Sequence, residues 1–118
     1  MAYQIRQQFL VESARFLPKL PKGHPCSRVH GHSFRITLVL AGELQPEGWL
    51  IDFNEVEAKA KPVINRIDHC LLNEVPGLEN PTSELLCRWI FQQLKPNLTQ
   101  LIEVSVSETP STACSYRP

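Results

Sequence analysis

An α+β fold, with two helices packed on one face of a four-stranded antiparallel sheet, is what this sequence predicts. Three observations lead there. Residues 33–41 and 101–109 alternate apolar and polar side chains, as half-buried strands do. Two segments between them carry apolar residues at helical spacing. The resulting order is strand, strand, helix, helix, strand, strand, and helices segregated between strand pairs define the α+β class.

The opening strand has the weakest pattern, with Tyr3, Ile5, Phe9 and Val11 sharing a parity. Residues 17–29 follow as one long loop with Pro18, Pro21, Gly23 and Pro25, and long loops in compact domains often carry function. In the second strand Phe34, Ile36, Leu38 and Leu40 face one way, while Ser33, Arg35 and Thr37 face the other. Asp52 with Glu55 makes a capping box for the first helix, whose apolar face is Phe53, Val56, Ala60, Val63, Ile64 and Ile67. Pro62 lies inside that pattern and is expected to kink or interrupt it. The second helix opens at residues 80–84, where Asn80 or Thr82 caps and Pro81 is tolerated in the first turn. Leu85, Leu86, Trp89, Ile90 and Leu94 form its face, and Pro96 follows its end. Ile102, Val104 and Val106 define the third strand, and residues 113–116 a short fourth after Pro110. Arg35, Thr37, Glu103 and Ser105 leave the second sheet face polar, turned to water or a wet cavity.

The 118 residues make a single domain, 1–118, able to bury roughly 65% of its unfolded surface. A content of 42% hydrophobic and 20% charged residues argues against disorder. Lys+Arg and Asp+Glu both number 12, whereas a duplex-binding module usually carries a basic excess, so nucleic acid is not an expected partner. Net charge near zero favours association over repulsion. The longest apolar stretch, about residues 36–41, falls far short of the ~20 residues of a membrane span. The first residues carry no charged-then-apolar leader, so a cytoplasmic location is expected. The four cysteines, Cys26, Cys70, Cys87 and Cys114, form no Cys-x-x-Cys pair and read as free thiols.

Six residues carry candidate chemistry. His30 and His32 share the parity of Phe34, and alternate residues of a strand stand ~6.6 Å apart at a rise of ~3.3 Å per residue. Two imidazoles so placed can share one metal ion, or each can bond a backbone carbonyl. Cys26 lies four residues earlier in the long loop. It is either a proton-moving thiol lowered in pKa by a neighbouring cation or a plain buried cysteine. Asp68 beside His69 can orient the ring, but adjacent residues face each other only on irregular backbone. The alternative is a histidine favoured by the dipole at a helix C-terminus. Glu108 continues the inward parity of Val104 and Val106, where a carboxylate either meets water or accepts two parallel bonds from an amidine-like edge.

These residues fall in ordered motifs: Cys26-x-x-x-His30-Gly31-His32, Gly48-Trp49-Leu50-Ile51-Asp52-Phe53, Ile67-Asp68-His69 through Asn73, Glu79-Asn80-Pro81-Thr82-Ser83-Glu84, and Glu108-Thr109. Together they resemble the 6-pyruvoyltetrahydropterin synthase family over nearly the whole chain. The short gap between Cys26 and His30 is similar to its bacterial 6-carboxytetrahydropterin synthase branch, which serves queuosine synthesis. The resemblance implies a tunnelling fold in which three subunits close a twelve-stranded barrel and two trimers stack into a homo-hexamer. It implies 7,8-dihydroneopterin triphosphate as substrate, bound between subunits, with 6-carboxytetrahydropterin, acetaldehyde and triphosphate as products. Alternatives are a 6-pyruvoyltetrahydropterin product, cleavage that keeps the triphosphate, or a metal-poor paralogue that binds pterin without turnover. Carried onto this chain, Cys26 moves protons, His69 oriented by Asp68 is its acid–base partner, and Glu108 with the Thr109 backbone anchors the pterin. His30 and His32 ligate zinc. The third zinc ligand of the family falls on Arg15 in Glu12-Ser13-Ala14-Arg15, and a guanidinium cannot ligate a metal. Arg15 shares the parity of Phe9 and Val11, which turns it toward the site and toward triphosphate oxygens. His24 is the one other histidine available as a substitute ligand.

Overall fold

Alternation along the strands and helical spacing between them build the expected architecture. A computed structural model describes residues 2–118. The elements are β1 (Tyr3–Arg15), β2 (His30–Gly42), α1 (Phe53–Ile67), α2 (Ser83–Leu94), β3 (Leu101–Thr109) and β4 (Thr112–Tyr116). The strands form one antiparallel sheet in the order β1-β2-β3-β4. Phe34, Ile36, Leu38 and Leu40 are fully buried against Val56, Ala60, Ile64 and Ile67 of α1 and Leu86, Ile90 and Leu94 of α2. Burying one such aliphatic side chain stabilises the fold by about 1.5–3 kcal/mol, so this layer holds the sheet to the helices. All four cysteines are free thiols.

Several local expectations change. α1 runs unbroken through Pro62. Pro62 is exposed, so the carbonyl that its missing N–H leaves open lies on the solvent side, where water satisfies it. Phe53, expected in the core, is 54% exposed at the helix start. Thr82, not Asn80, caps α2, its Oγ1 accepting from Leu85 N at 3.1 Å. β2 begins at His30 and not at residue 33, and β1 extends to Arg15, so both histidines and Arg15 lie within paired strand. The second sheet face is not uniformly polar either, since Val39 is buried and Leu10 exposed.

Two irregularities in β3 matter for the site. Val39 pairs Glu103 while Leu40 pairs Leu101, so Ile102 is an extra residue and Leu101 takes the buried place. Nearer the other end, Val106 pairs Cys114 and Thr109 pairs Thr112, which gives β3 one more residue than β4 across Ser107 and Glu108.

Three contacts pin the functional segments to this frame. Leu17 N donates to Cys26 O at 2.9 Å, closing the long loop on itself. The Asn73 side chain accepts from Phe16 N at 3.0 Å and donates to Phe16 O at 2.8 Å. Buried Ser13 sets its Oγ 2.6 Å from Ile67 O and 2.9 Å from Cys70 O, tying β1 to the turn after α1. Among the described residues, no helix is long and apolar enough to cross a membrane.

Candidate active site

β1 and β2 pair without interruption from Tyr3 and Gly42 to Arg15 and His30. That register sets Arg15 opposite His30 and Ser13 opposite His32, all on the helix-facing side. Arg15 is only 3% exposed. A guanidinium so buried needs acceptors on every side. Its Nη1 donates to Pro81 O and Ser83 Oγ, both at 3.1 Å, just before and at the start of α2. Its Nη2 forms an ion pair with Glu108 Oε2, and its Cζ lies 5.2 Å from the Phe34 ring centroid. Glu108 reaches this position by continuing the inward alternation of Val104 and Val106, next to the irregular step in β3.

Next to this pair stand the two histidines, with ring centroids 4.9 Å apart in an edge-to-face arrangement. His32 Nε2 lies 3.7 Å from Glu108 Oε2. Burial lowers the His32 pKa; Glu108 opposes that, while Arg15 and His30 add to it. His30 Nδ1 lies 2.7 Å from Arg28 O, so Nδ1 carries the proton and donates. Its Nε2 is buried and has no partner among the described residues.

A catalytic zinc normally takes three protein ligands and leaves one position open. His30 and His32 offer two donors, and the unpartnered His30 Nε2 suits a metal. The third strand position delivers a guanidinium instead, and that same guanidinium occupies the nearest carboxylate, Glu108. His24 is exposed, and its Nδ1 accepts from Cys26 N at 3.0 Å as the cap of a 3₁₀ turn, Pro25–Ser27. No three His, Cys, Asp or Glu side chains among the described residues group to hold a metal ion. The residues present therefore do not fit a three-ligand zinc.

The remaining site residues divide between two concavities. Cys26, half-buried on its 3₁₀ turn, lines a cavity of about 270 Å³ with Arg15, Ser83, Glu84, Glu108 and Cys114. Asp68 ends α1 and accepts from Glu12 N at 2.9 Å and from His69 at 3.0 Å between Oδ1 and Nδ1. The Glu12 N–H bond, helped by His69, holds the Asp68 carboxyl below the usual carboxylate range. His69 adopts the left-handed region at φ 54°, the irregular backbone that adjacent residues need in order to face each other. Its side chain is 77% exposed and lines a separate open groove of about 690 Å³ with His32 and Cys70. One chain thus brings Arg15 and Glu108 together beside Cys26, while His32, 3.7 Å from Glu108, lines the concavity that holds His69. Thr109 sits at the β3–β4 turn, its Oγ1 2.6 Å from Thr112 Oγ1, and lines a small hollow with Leu10, Arg35 and Ser107. The Arg15–Glu108 pair and its anchor Ser83 were not foreseen. The one available signal was two opposite charges, each inward by parity, on strands that flank β2.

The comparisons with known proteins agree with this architecture. A family model described as 6-pyruvoyl tetrahydropterin synthase matches residues 4–118. The chain is 31% identical to a Bacillus subtilis protein named 6-carboxy-5,6,7,8-tetrahydropterin synthase, over 99% of this chain and 86% of that one. It is 36% identical to a Synechocystis protein of the same name, over 95% of this chain and 91% of that one. The solved structure of Caenorhabditis elegans 6-pyruvoyl tetrahydropterin synthase superposes with a TM-score of 0.88, covering 98% of this chain and 95% of that one at 23% identity. With its family model matched almost end to end, this chain belongs to the 6-pyruvoyl tetrahydropterin synthase family.

Proposed function

We propose that this chain is a lyase that converts 7,8-dihydroneopterin triphosphate and water into 6-carboxytetrahydropterin, acetaldehyde and triphosphate. The observation that carries the reading is Glu108, turned inward next to an irregular strand step, beside a cavity that also contains Cys26. Arg15 and, at 3.4 Å, the Ser83 hydroxyl both donate to Oε2, so Oε1 with its two lone pairs remains able to accept the paired N–H groups of a pterin edge. The Cys26 thiol is the proton carrier beside that anchor. Protons leave the side-chain carbons and arrive at the ring, which gains what the side chain loses, so electrons balance within the substrate. His69 is held by Asp68 and faces outward, which suits a base serving the cavity of a neighbouring subunit.

Such a shared site needs a closed assembly. On its outer side β1 pairs only near its end, where Glu12 and Ala14 bond residues 69–71, and β4 is the other free edge. Closing a barrel of three sheets removes both edges. Light scattering is expected to give a mass near six times 13.4 kDa. A monomer at micromolar concentration would sink the shared site.

The function itself is tested by incubation with 7,8-dihydroneopterin triphosphate and mass identification of products. The carboxylated pterin with acetaldehyde and triphosphate is the expected result. A 6-pyruvoyl product means that side-chain cleavage is absent. Binding without any product supports the non-catalytic pterin-binding reading, which the guanidinium in the ligand position favours.

A further inference from the structure

We propose that this chain works without a catalytic zinc, and that the Arg15 guanidinium is the fixed cation of the site in the metal's place. Arg15 is not a mobile surface charge: strand register sets it against His30, and Pro81 O, Ser83 Oγ and Glu108 hold it in a buried position. Swinging away would strand a charge inside the protein. While it stays, it fills the third strand position with a group that cannot bind a metal and ties up Glu108 Oε2.

Two unsatisfied atoms show what the site takes instead. Arg15 Nε and His30 Nε2 are both buried without partners among the described residues. They belong to directly opposed residues, whose Cβ atoms in an antiparallel pair stand about 4.5–5.5 Å apart. Their chemistry is complementary. Arg15 Nε–H can only donate, and His30 Nε2, with the proton on Nδ1, can only accept. A hydroxyl or water oxygen is the group whose chemistry suits both, accepting from the arginine while donating to the imidazole. The guanidinium thereby polarises that oxygen and His30 is placed to receive its proton. This second clause rests on the pterin reading, whose side chain carries hydroxyls, whereas the absence of zinc does not.

The test loads the full-length protein with zinc ions, dialyses it, and measures metal by atomic absorption. Wild type is expected to keep less than about a tenth of an equivalent per chain, and Arg15→His about one. Wild type that holds about one zinc per chain overturns the proposal. A folded Arg15→His that gains none also overturns it, because Arg15 would then not be what excludes the metal. If that variant does not fold, Arg15→His with Glu108→Gln serves, since it leaves no unpaired carboxylate. Calorimetric binding of 7,8-dihydroneopterin to wild type is expected to survive a chelator unchanged, and its loss would count against the proposal. Failure of the synthase reading shows as missing product and leaves the zinc readings intact.

Discussion

Glu108→Ala is expected to lower stability by roughly 3 kcal/mol and to abolish pterin binding at the same time. The stability loss follows from what remains. Arg15, with a side chain 4% exposed, keeps two neutral acceptors, Pro81 O and Ser83 Oγ, but loses its counter-charge. Breaking a buried pair by removing one partner costs about 3–5 kcal/mol. Glu108 is itself 31% exposed, so water screens part of the effect and the lower end applies. Against a total stability of about 5–15 kcal/mol, that is a large share. The binding loss is separate: two charge-assisted bonds to the ring edge are worth about 1.5–3 kcal/mol each, so affinity falls on the order of a hundredfold or more. Combining Arg15→Met with Glu108→Leu separates the two effects. The double variant removes both charges, so it is expected to recover most of the stability in urea unfolding and none of the binding. A Glu108→Ala protein within about 1 kcal/mol of wild type would show that the pair holds nothing together.

Much of this frame was legible because period-two and helical patterns report burial directly. Phe34 through Leu40 and the α1 stripe from Val56 to Ile67 lie where their spacing put them. The misplaced elements have local causes that periodicity does not encode. Pro62 breaks a helix only where the lost hydrogen bond cannot be replaced, and its exposed position lets water replace it. The two extra residues in β3 are invisible in a sequence whose alternation continues through them. They depend on how many residues the neighbouring strands present, which is a property of pairing.

The site was legible residue by residue and illegible as a set of partners. Parity correctly turned Arg15, His30, His32 and Glu108 inward, and the need for irregular backbone at Asp68–His69 appears as the positive φ of His69. Nothing local joins Arg15 to Glu108, which are 93 residues apart and on strands separated by β2. Arg15 was expected near triphosphate oxygens. It finds its anion within the protein instead, because a buried guanidinium must be neutralised whether or not a ligand is present. Unlike the strand pairs, this contact is set by charge balance across the sheet.

Cys26→Ala is expected to lower kcat on the order of 10²–10⁴-fold, the usual contribution of a positioned proton-transfer group, with KM little changed. The fold gives a reason to expect a clean result. What holds residue 26 in place is its backbone: its N–H donates to His24 Nδ1 at 3.0 Å and its carbonyl accepts from Leu17 N at 2.9 Å. Alanine keeps both bonds, so the loop keeps its shape while the thiol alone is lost. Glu108 and Arg15 are untouched, so substrate binding persists. Cys87→Ala supplies the contrast. That thiol is fully buried on α2, 3.4 Å from Cys114 Sγ, and burial pushes its pKa far up, so it stays protonated and unreactive. Its removal opens a small void and lowers stability by about 1 kcal/mol, while turnover holds. The pair of variants thus separates a sulfur that packs from a sulfur that reacts. Turnover unchanged in Cys26→Ala would remove the thiol from the chemistry. It would leave His69 as the remaining candidate for proton transfer.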